Sequence, residues 1–326
     1  MPRSVTKNAN SRESTENGYE LSAEFDVLKR PVLDSPPKLT RLKIGLHTST
    51  SGGVQTAVER AYRLGCNTLQ IFSSSPRMWR PQQIGRPQCD QMRQLRAQYG
   101  IAPLAIHTSY LVNMCSATPE FLEKSIVAFR GELERALALG AEYLVLHPGS
   151  FRGRTRAEGL DCAADSIAHS VDGLDLENGE CGPLKILIEN TAGAEYSLGG
   201  SFEQVAELVE KLKAHAPVGA CIDTCHTHVS GYDIVSREGY EQTMATLDST
   251  VGLKNVLVWH CNDAKAARGS KLDRHQHIGK GSIGLEPFRW LLNDVRTQHA
   301  AFIAETPIDE PYDDQRNVDA LKALVP

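Results

Sequence analysis

A repeated alternation of short apolar runs and helical segments is the feature that most constrains the fold of this 326-residue chain. Eight apolar or β-branched runs occur after residue 41, and each leads through a turn rich in Gly, Ser or Pro to a segment of helical period. Runs without strict apolar–polar alternation are typical of strands buried on both faces of a parallel sheet. Eight such units in about 285 residues predict an α/β fold, a (β/α)8 TIM barrel. A doubly wound open sheet is the alternative, but no Gly-x-Gly-x-x-Gly follows any of these runs.

The predicted strands end in side chains that bind metals or transfer protons. The runs cover 42–47, 68–72, 103–107, 143–147, 185–189, 218–223, 256–260 and 301–305, and their last residues are His47, Phe72, His107, His147, Glu189, Asp223, His260 and Glu305. In a barrel these ends converge on one mouth. A lone residue of this kind is most often structural, but six together would leave charges unpaired unless cations were bound there. The pattern therefore predicts a metal site at the mouth.

Three more candidate ligands follow shortly after these ends. His226 lies three residues beyond the sixth strand, and Asp273 and His275 lie in a loop after the seventh. The full set is His107, His147, Glu189, Asp223, His226, His260, Asp273, His275 and Glu305. Imidazole and carboxylate ligands without thiolates suit zinc or manganese in an open site. At three or four ligands per ion, nine ligands imply two or three ions, and such a cluster favours a metal-dependent phosphoester hydrolase.

The first 38 residues differ from the remainder of the chain. They are rich in Ser, Asn, Glu and Lys and contain no periodic apolar pattern. Such a segment buries too little apolar surface to offset its ordering entropy, so we expect a flexible polar tail over 1–38 and a single barrel domain over 39–326. A short arm around residues 25–28 that docks on the barrel is the alternative.

Composition excludes several classes of protein. No run of 18 apolar residues is present, and the N-terminus lacks the apolar region of a secretory signal, so we expect no membrane span and a cytoplasmic location. The eight cysteines form no Cys-x-x-Cys pair, which is typical of reduced thiols. A net charge of −5 excludes a general polyanion binder and favours a monomer that uses metals and a few cations for any contact with nucleic acid.

Short motifs around the predicted strand ends carry a family resemblance. They are GLHTSTSGG at 45–53, HTSYL at 107–111, HPGS at 147–150, IENTAG at 188–193, CIDTCH at 221–226, GYD at 231–233, HCND at 260–263, DRH at 273–275 and AETP at 304–307. In their order and spacing these motifs resemble endonuclease IV, that is deoxyribonuclease IV or the second family of apurinic/apyrimidinic (AP) endonucleases. The resemblance covers nearly the whole barrel and leaves the N-terminal segment unmatched.

The resemblance implies a trinuclear zinc centre that cleaves the DNA backbone 5′ to an abasic site, leaving a 3′-hydroxyl and a 5′-deoxyribose phosphate. It implies that His107 and His147 hold one zinc, that Asp223, His260 and Glu305 hold a second, and that Glu189 bridges these two. His226, Asp273 and His275 would hold the third. A metal-activated hydroxide would attack phosphorus, with Glu189 as the catalytic residue that fixes its position.

The resemblance also implies contacts to duplex DNA that contains abasic sites or 3′-blocking lesions. Arg77, in the segment after the second predicted strand, resembles an arginine inserted into the base stack, and Tyr110 and Leu111 resemble a pair that fills the gap. Such wedges unstack a duplex, and an abasic sugar is the easiest to extrude because it has no base to unpair. Otherwise Arg77 would be a solvated loop cation and Tyr110 a rim aromatic.

The sequence is also compatible with two other functions. A xylose-isomerase-like sugar isomerase or epimerase would use a single divalent metal held by Glu189, Asp223, His260 and Glu305, and would leave the other five ligands unexplained. A zinc-stabilised DNA-binding protein without catalytic activity would require the loss of a ligand or of the open positions. The number of metal ions per chain separates the enzyme alternatives.

Overall fold

The computed structural model describes residues 25–31, 35–81 and 83–326. Within these residues eight parallel strands form the barrel: β1 (Lys43–Leu46), β2 (Leu69–Phe72), β3 (Leu104–His107), β4 (Tyr143–Leu146), β5 (Lys185–Glu189), β6 (Val218–Asp223), β7 (Val256–His260) and β10 (Ala301–Ala304). A two-stranded antiparallel ribbon, β8 (Asp263–Ala264) and β9 (His275–Gln276), follows β7.

The strand order shows that the sheet closes on itself. Hydrogen-bonded neighbours run β1-β10-β7-β6-β5-β4-β3-β2, which is chain order around a ring once the ribbon is set aside. A parallel bridge between His47 and Gln70, with the amide of Thr48 donating to the carbonyl of Gln70 at 2.9 Å, joins β1 to β2. The predicted TIM barrel is therefore confirmed, and the doubly wound alternative is wrong because an open sheet would leave these two strands unpaired.

Helices cover the outside of the barrel. Those in the described chain are α1 (Thr56–Arg63), α2 (Arg86–Tyr99), α3 (Pro119–Leu139), α4 (Arg156–Val171), α5 (Phe202–Leu212), α6 (Thr224–Ser230), α7 (Arg237–Thr250), α8 (Leu285–Asn293) and α9 (Asp313–Lys322). Local sequence sets their ends. Thr155 and Glu158 form a capping box before α4, and Gly140 ends α3 in the left-handed conformation with a φ of 66°.

Two apolar layers stabilise the barrel. Inside it, small and branched side chains from neighbouring strands fill the lumen: Ala105, Val145, Leu187, Cys221, Val258, Ala301 and Ile303. A larger buried layer packs the outer faces of the strands against the helices and includes Phe129, Phe202, Phe288 and Phe302. Because the lumen is filled, the functional surface lies at the carboxyl ends of the strands and not along a channel.

Part of the N-terminal segment packs on the barrel. Residues 1–24 and 32–34 of the predicted tail lie outside the described residues, but 25–31 form an arm with a single turn of 3-10 helix at Val27–Lys29. Asp26 receives two hydrogen bonds of 3.1 Å from the guanidinium of Arg60, and Arg30 pairs with Asp314 at 2.8 Å. For residues 25–31 the expectation of a flexible tail is wrong, because these ion pairs and the buried Val27 hold the arm, as the docked alternative proposed.

Helix length and hydropathy together decide whether a helix can cross a membrane. In the part of the chain that the structure describes, none of the helices has both the length and the apolar character needed to cross a bilayer.

Candidate metal centre

The carboxyl ends of six barrel strands bring imidazole and carboxylate groups to one mouth. His107, Glu189 and His260 are the last residues of their strands, and His147 and Glu305 directly follow β4 and β10. Parallel strands of similar length end at the same rim, so the order of these residues in the chain becomes a ring in space.

The remaining candidates reach this ring from short connections. The carboxylate of Asp223, at the end of β6, accepts a hydrogen bond of 2.8 Å from the amide of His226 and so caps α6. This cap fixes the first turn of the helix and directs His226 into the mouth. The β8–β9 ribbon folds back over the rim, and this places Asp273 and His275 beside His226.

Among the described residues, the nine predicted ligands fall into three groups whose ligand atoms lie within 4.8 Å of one another. They are His107, His147 and Glu189; then Glu189, Asp223, His260 and Glu305; and finally His226, Asp273 and His275. All nine side chains are therefore brought together at one mouth. Cys221 and Cys225 also lie at ligand distance from members of these groups, but burial raises the pKa of both thiols, which disfavours the thiolate that a metal would need.

Glu189 lies at the centre and is fully buried. Its Oε2 atom is 3.1 Å from Nε2 of both His107 and His147, and its Oε1 atom is 2.9 Å from Nδ1 of His260. Burial alone would raise the pKa of Glu189, but the charges of His260 and His147 and hydrogen bonds from His107 and His147 hold it well below its usual value. The carboxylate is thus ionised and each oxygen faces a different group of histidines.

Backbone carbonyls fix the orientation of three histidine rings. The Nδ1 atoms of His107, His226 and His275 lie 2.8, 2.9 and 3.1 Å from the carbonyl oxygens of Thr108, Asn190 and Glu305, respectively. A carbonyl only accepts, so each Nδ1 carries a proton and it is Nε2 of each ring that faces the mouth, where it would supply a lone pair to a bound metal ion. This is the ring orientation that metal-binding histidines adopt.

The Nε2 atoms of His226 and His275 show whether a metal ion fits the third group. Nε2 of His226 and Nε2 of His275 are buried, and neither has a hydrogen-bond partner in the described chain. Both point at the carboxylate of Asp273, with separations of 3.2 and 3.3 Å. A nitrogen lone pair that faces a carboxylate oxygen in a buried site is repelled unless a proton or a metal ion lies between them. The donor set therefore fits a divalent metal ion.

Electrostatics of the second group support the same conclusion. Burial lowers the pKa of His260, but the negative charges of Glu305 and Glu189 outweigh it and raise the pKa to about 9. For His275 the negative charges of Asp223 and Glu305 likewise outweigh burial and raise the pKa to about 9. The carboxylates are so concentrated that the imidazoles become cations when no metal supplies the positive charge.

Buried amides that the sequence motifs do not single out hold the second group in place. The side chain of Asn262 donates to Oδ2 of Asp223 at 2.5 Å and accepts from the amide of Glu305 at 2.8 Å. Gln70, in β2, contacts both His260 and Glu305. The available signal was a polar residue inside an apolar run, Gln70 in the sequence LQIF.

Comparison with known proteins decides the family. A family model described as "Xylose isomerase-like TIM barrel" matches residues 58–324. A protein of Solibacter usitatus named probable endonuclease 4 is 46% identical over 87% of this chain and 97% of its own length. The chain belongs to the endonuclease IV family. The family resemblance drawn from the motifs is therefore confirmed.

Solved structures agree with this assignment. Endonuclease IV from Thermus thermophilus is 36% identical with a TM-score of 0.76, and the match covers 86% of this chain and 98% of that one. A D-tagatose 3-epimerase-like protein reaches a TM-score of 0.63 at 19% identity over 87% of this chain and 97% of its own. At that identity the second likeness shows a shared fold alone.

The candidate DNA-contacting residues lie on two loops beside the metal groups. Tyr110 is 65% exposed, and its ring lies 5.3 Å from that of Phe72 and 6.1 Å from that of His107. Partial burial and the charges of Glu305 and Glu189 raise the pKa of Tyr110 to about 12, so its hydroxyl stays neutral. The hydroxyl of Ser109 donates to the carbonyl of Pro76 at 2.8 Å, which ties the loop of Tyr110 and Leu111 to that of exposed Arg77.

Proposed function

We propose that this member of the endonuclease IV family is a zinc-dependent DNA-repair enzyme that hydrolyses the phosphodiester bond 5′ to an abasic site. The observation that carries the proposal is the division of nine ligands into three groups at one mouth, two of which share Glu189. A single-metal enzyme has no use for His107, His147 and the group on α6 and the ribbon. Three adjacent cations suit a reaction in which negative charge develops on a phosphate.

The three groups support the following distribution of ligands among the ions. His107, His147 and Glu189 would hold one zinc, while Asp223, His260 and Glu305 would hold a second with the other oxygen of Glu189. The third group, on α6 and the ribbon, would hold the third ion. Three or four nitrogen and oxygen ligands per ion leave positions open for water and substrate, which suits zinc, with manganese as the alternative metal in part of the centre.

The reaction is a hydrolysis in which the oxygen of water bonds to phosphorus and the bond from phosphorus to O3′ of the preceding nucleotide breaks. The proton from water passes to O3′, so the products are a 3′-hydroxyl and a 5′-deoxyribose phosphate. Bound zinc ions supply Lewis acidity, which lowers the pKa of water and neutralises charge on the phosphate. Glu189 acts by fixing the spacing of two ligand groups through its two oxygens.

Arg77, Tyr110 and Leu111 would select and distort the DNA. Tyr110 is exposed beside the metal groups, and its loop is tied to the loop of Arg77, so side chains inserted into a duplex from here would hold the backbone against the mouth. An abasic nucleotide enters most readily because it has no base pair to break. A 3′-blocking group at the end of a strand likewise has no base pair to break, so DNA that carries such a group is the second expected substrate.

Compartment and assembly are part of the proposal. All eight cysteines, each within the described chain, are free thiols, which is typical of a reducing compartment such as the cytoplasm. All nine candidate ligands come from one chain, so a monomer suffices for the reaction.

Incubation with a duplex that contains one abasic site tests the proposal. We expect cleavage at the 5′ side of the lesion, no cleavage of the undamaged duplex, and slow loss of activity in EDTA that zinc restores. Product ends other than a 3′-hydroxyl and a 5′-deoxyribose phosphate, or cleavage that never depends on metal, would contradict it. Binding without cleavage would favour the non-catalytic DNA-binding protein, and isomerisation of a sugar would favour the xylose-isomerase-like alternative.

A further inference from the structure

Gln70 is a fully buried amide inside the barrel that touches three imidazole or carboxylate groups at once. Its Oε1 atom lies 2.8 Å from Nε2 of His260. Its Nε2 atom lies 2.6 Å from Oε1 of Glu305 and 3.0 Å from Nδ1 of His47. The reaction proposed above assigns Gln70 no role.

The contact with Glu305 fixes which way the amide of Gln70 faces. At 2.6 Å from a carboxylate oxygen only the NH₂ group is tolerated, since an amide oxygen there would be repelled. The NH₂ group then donates one hydrogen bond to Oε1 of Glu305 and one to Nδ1 of His47. The amide oxygen is consequently left to face His260.

This orientation dictates the tautomer of His260. An amide oxygen only accepts hydrogen bonds, so Nε2 of His260 must carry a proton to satisfy the contact. A neutral imidazole has one proton, and its Nδ1 atom then presents a lone pair toward Oε1 of Glu189 at 2.9 Å and Oε2 of Glu305 at 3.2 Å. The other oxygen of Glu305 is held by Gln70, which turns Oε2 toward the same point.

We propose that Gln70 is a positioning residue that selects the metal-binding tautomer of His260 and orients Glu305, so that both present lone pairs to one metal ion. The inference rests on the proposed metal centre and adds to it a residue that no candidate ligand set contains. A hydrogen bond that orients a ligand in this way typically changes metal affinity by roughly 10–100-fold.

The tautomer can be measured in the wild-type protein. Long-range ¹H–¹⁵N correlation spectra of the zinc-loaded protein, labelled with ¹⁵N-histidine, distinguish a ring protonated at Nε2 from one protonated at Nδ1. We expect the His260 ring to carry its proton on Nε2 and to bind metal through Nδ1. The opposite pattern would overturn the proposal, and this result does not depend on the folding of any variant.

Zinc retention in variants supplies a second readout. Gln70→Met keeps a side chain of similar length without the amide, and we expect one of about three zinc ions to be lost to a competing chelator roughly 10–100-fold more readily. Gln204→Met is the matched control, since the Gln204 amide oxygen accepts from the backbone of Gly199 at 3.0 Å, and that amide belongs to no candidate metal group. Equal retention in a folded Gln70→Met variant and the control would overturn the proposal.

Failure of this inference can be told from failure of the proposed function. A wild-type protein that binds about three zinc ions and cleaves abasic DNA, but whose Gln70→Met variant retains all of them, would overturn only the role of Gln70. A wild-type protein that binds no zinc would contradict the metal centre itself, and the role of Gln70 with it.

Discussion

Glu189 is shared by two of the three candidate metal groups, and Glu189→Gln tests that sharing. One carboxylate oxygen lies 3.1 Å from Nε2 of both His107 and His147, and the other lies 2.9 Å from Nδ1 of His260. Glutamine has the same shape but a single oxygen, and its NH₂ group has no lone pair for a metal. Whichever way the amide turns, one of the two groups loses a ligand and the site loses one negative charge.

The size of the effect follows from this geometry. We expect single-turnover cleavage of an abasic duplex to fall by roughly 10³-fold, which corresponds to about 4 kcal/mol of lost transition-state stabilisation. Zinc content should fall by about one ion per chain, because a group left with fewer than three good ligands binds weakly. The dissociation constant for abasic DNA should change little, since Arg77 and Tyr110 lie on separate loops after β2 and β3.

The assay pairs a single-turnover cleavage time course with a binding titration and elemental analysis on the same preparation. Glu286→Gln is the matched control, because it makes the same charge change on α8, where the side chain is 60% exposed and pairs only with Arg289 in the described chain. We expect the control to match the wild type in all three measurements. Near-normal cleavage with a full complement of zinc in Glu189→Gln would refute the bridging role.

Three further predictions concern the DNA contacts and the N-terminal arm. Arg77→Ala and Tyr110→Ala should each weaken binding of abasic DNA by about 1–3 kcal/mol at unchanged zinc content, and wild-type affinity in both would remove them from the interface. Deletion of residues 1–24 should leave the melting temperature unchanged. Deletion of residues 1–38 should lower the free energy of unfolding by about 1–3 kcal/mol, because the buried Arg60 loses its carboxylate partner. Equal melting temperatures for the two deletion variants would contradict the docked arm. Burial opposes ionisation of Asp26, but its arginine partner holds the pKa below the usual value of about 4. The ion pair between Asp26 and Arg60 therefore stabilises the fold above about pH 4, and this stabilisation is lost as the pH falls. The Tm difference between Asp26→Asn and wild type should accordingly shrink in acid. A constant difference would contradict the ion pair.

The strands and the ligand set were predictable because both follow from local sequence. Buried parallel strands need continuous apolar runs, so a break from apolar to His, Glu or Asp marks where a strand reaches the mouth. The run that ends at Glu189 and the run that ends at His260 match β5 and β7 at both ends. The long helix at Pro119–Leu139 likewise lies in one of the segments of helical period that follow the predicted strands.

Other features depend on contacts between distant segments, and the sequence alone does not reveal them. Gln70 is polar inside an apolar strand, and only the closed barrel shows that it meets His260, which is 190 positions away. The arm at 25–31 is held by Arg60 and Asp314, and neither partner is marked by any local pattern. The sequence locates His226 only as three residues beyond the sixth predicted strand, whereas the structure places it in a short helix that Asp223 caps.

The number of zinc ions bound by the purified wild-type chain tests the central claim most directly. Elemental analysis against protein concentration, on protein prepared without chelator, should give about three zinc ions per chain, because the nine candidate ligands form three groups, two of which share Glu189. A value of about one ion per chain would contradict the trinuclear centre, since a single metal would occupy only the group formed by Glu189, Asp223, His260 and Glu305.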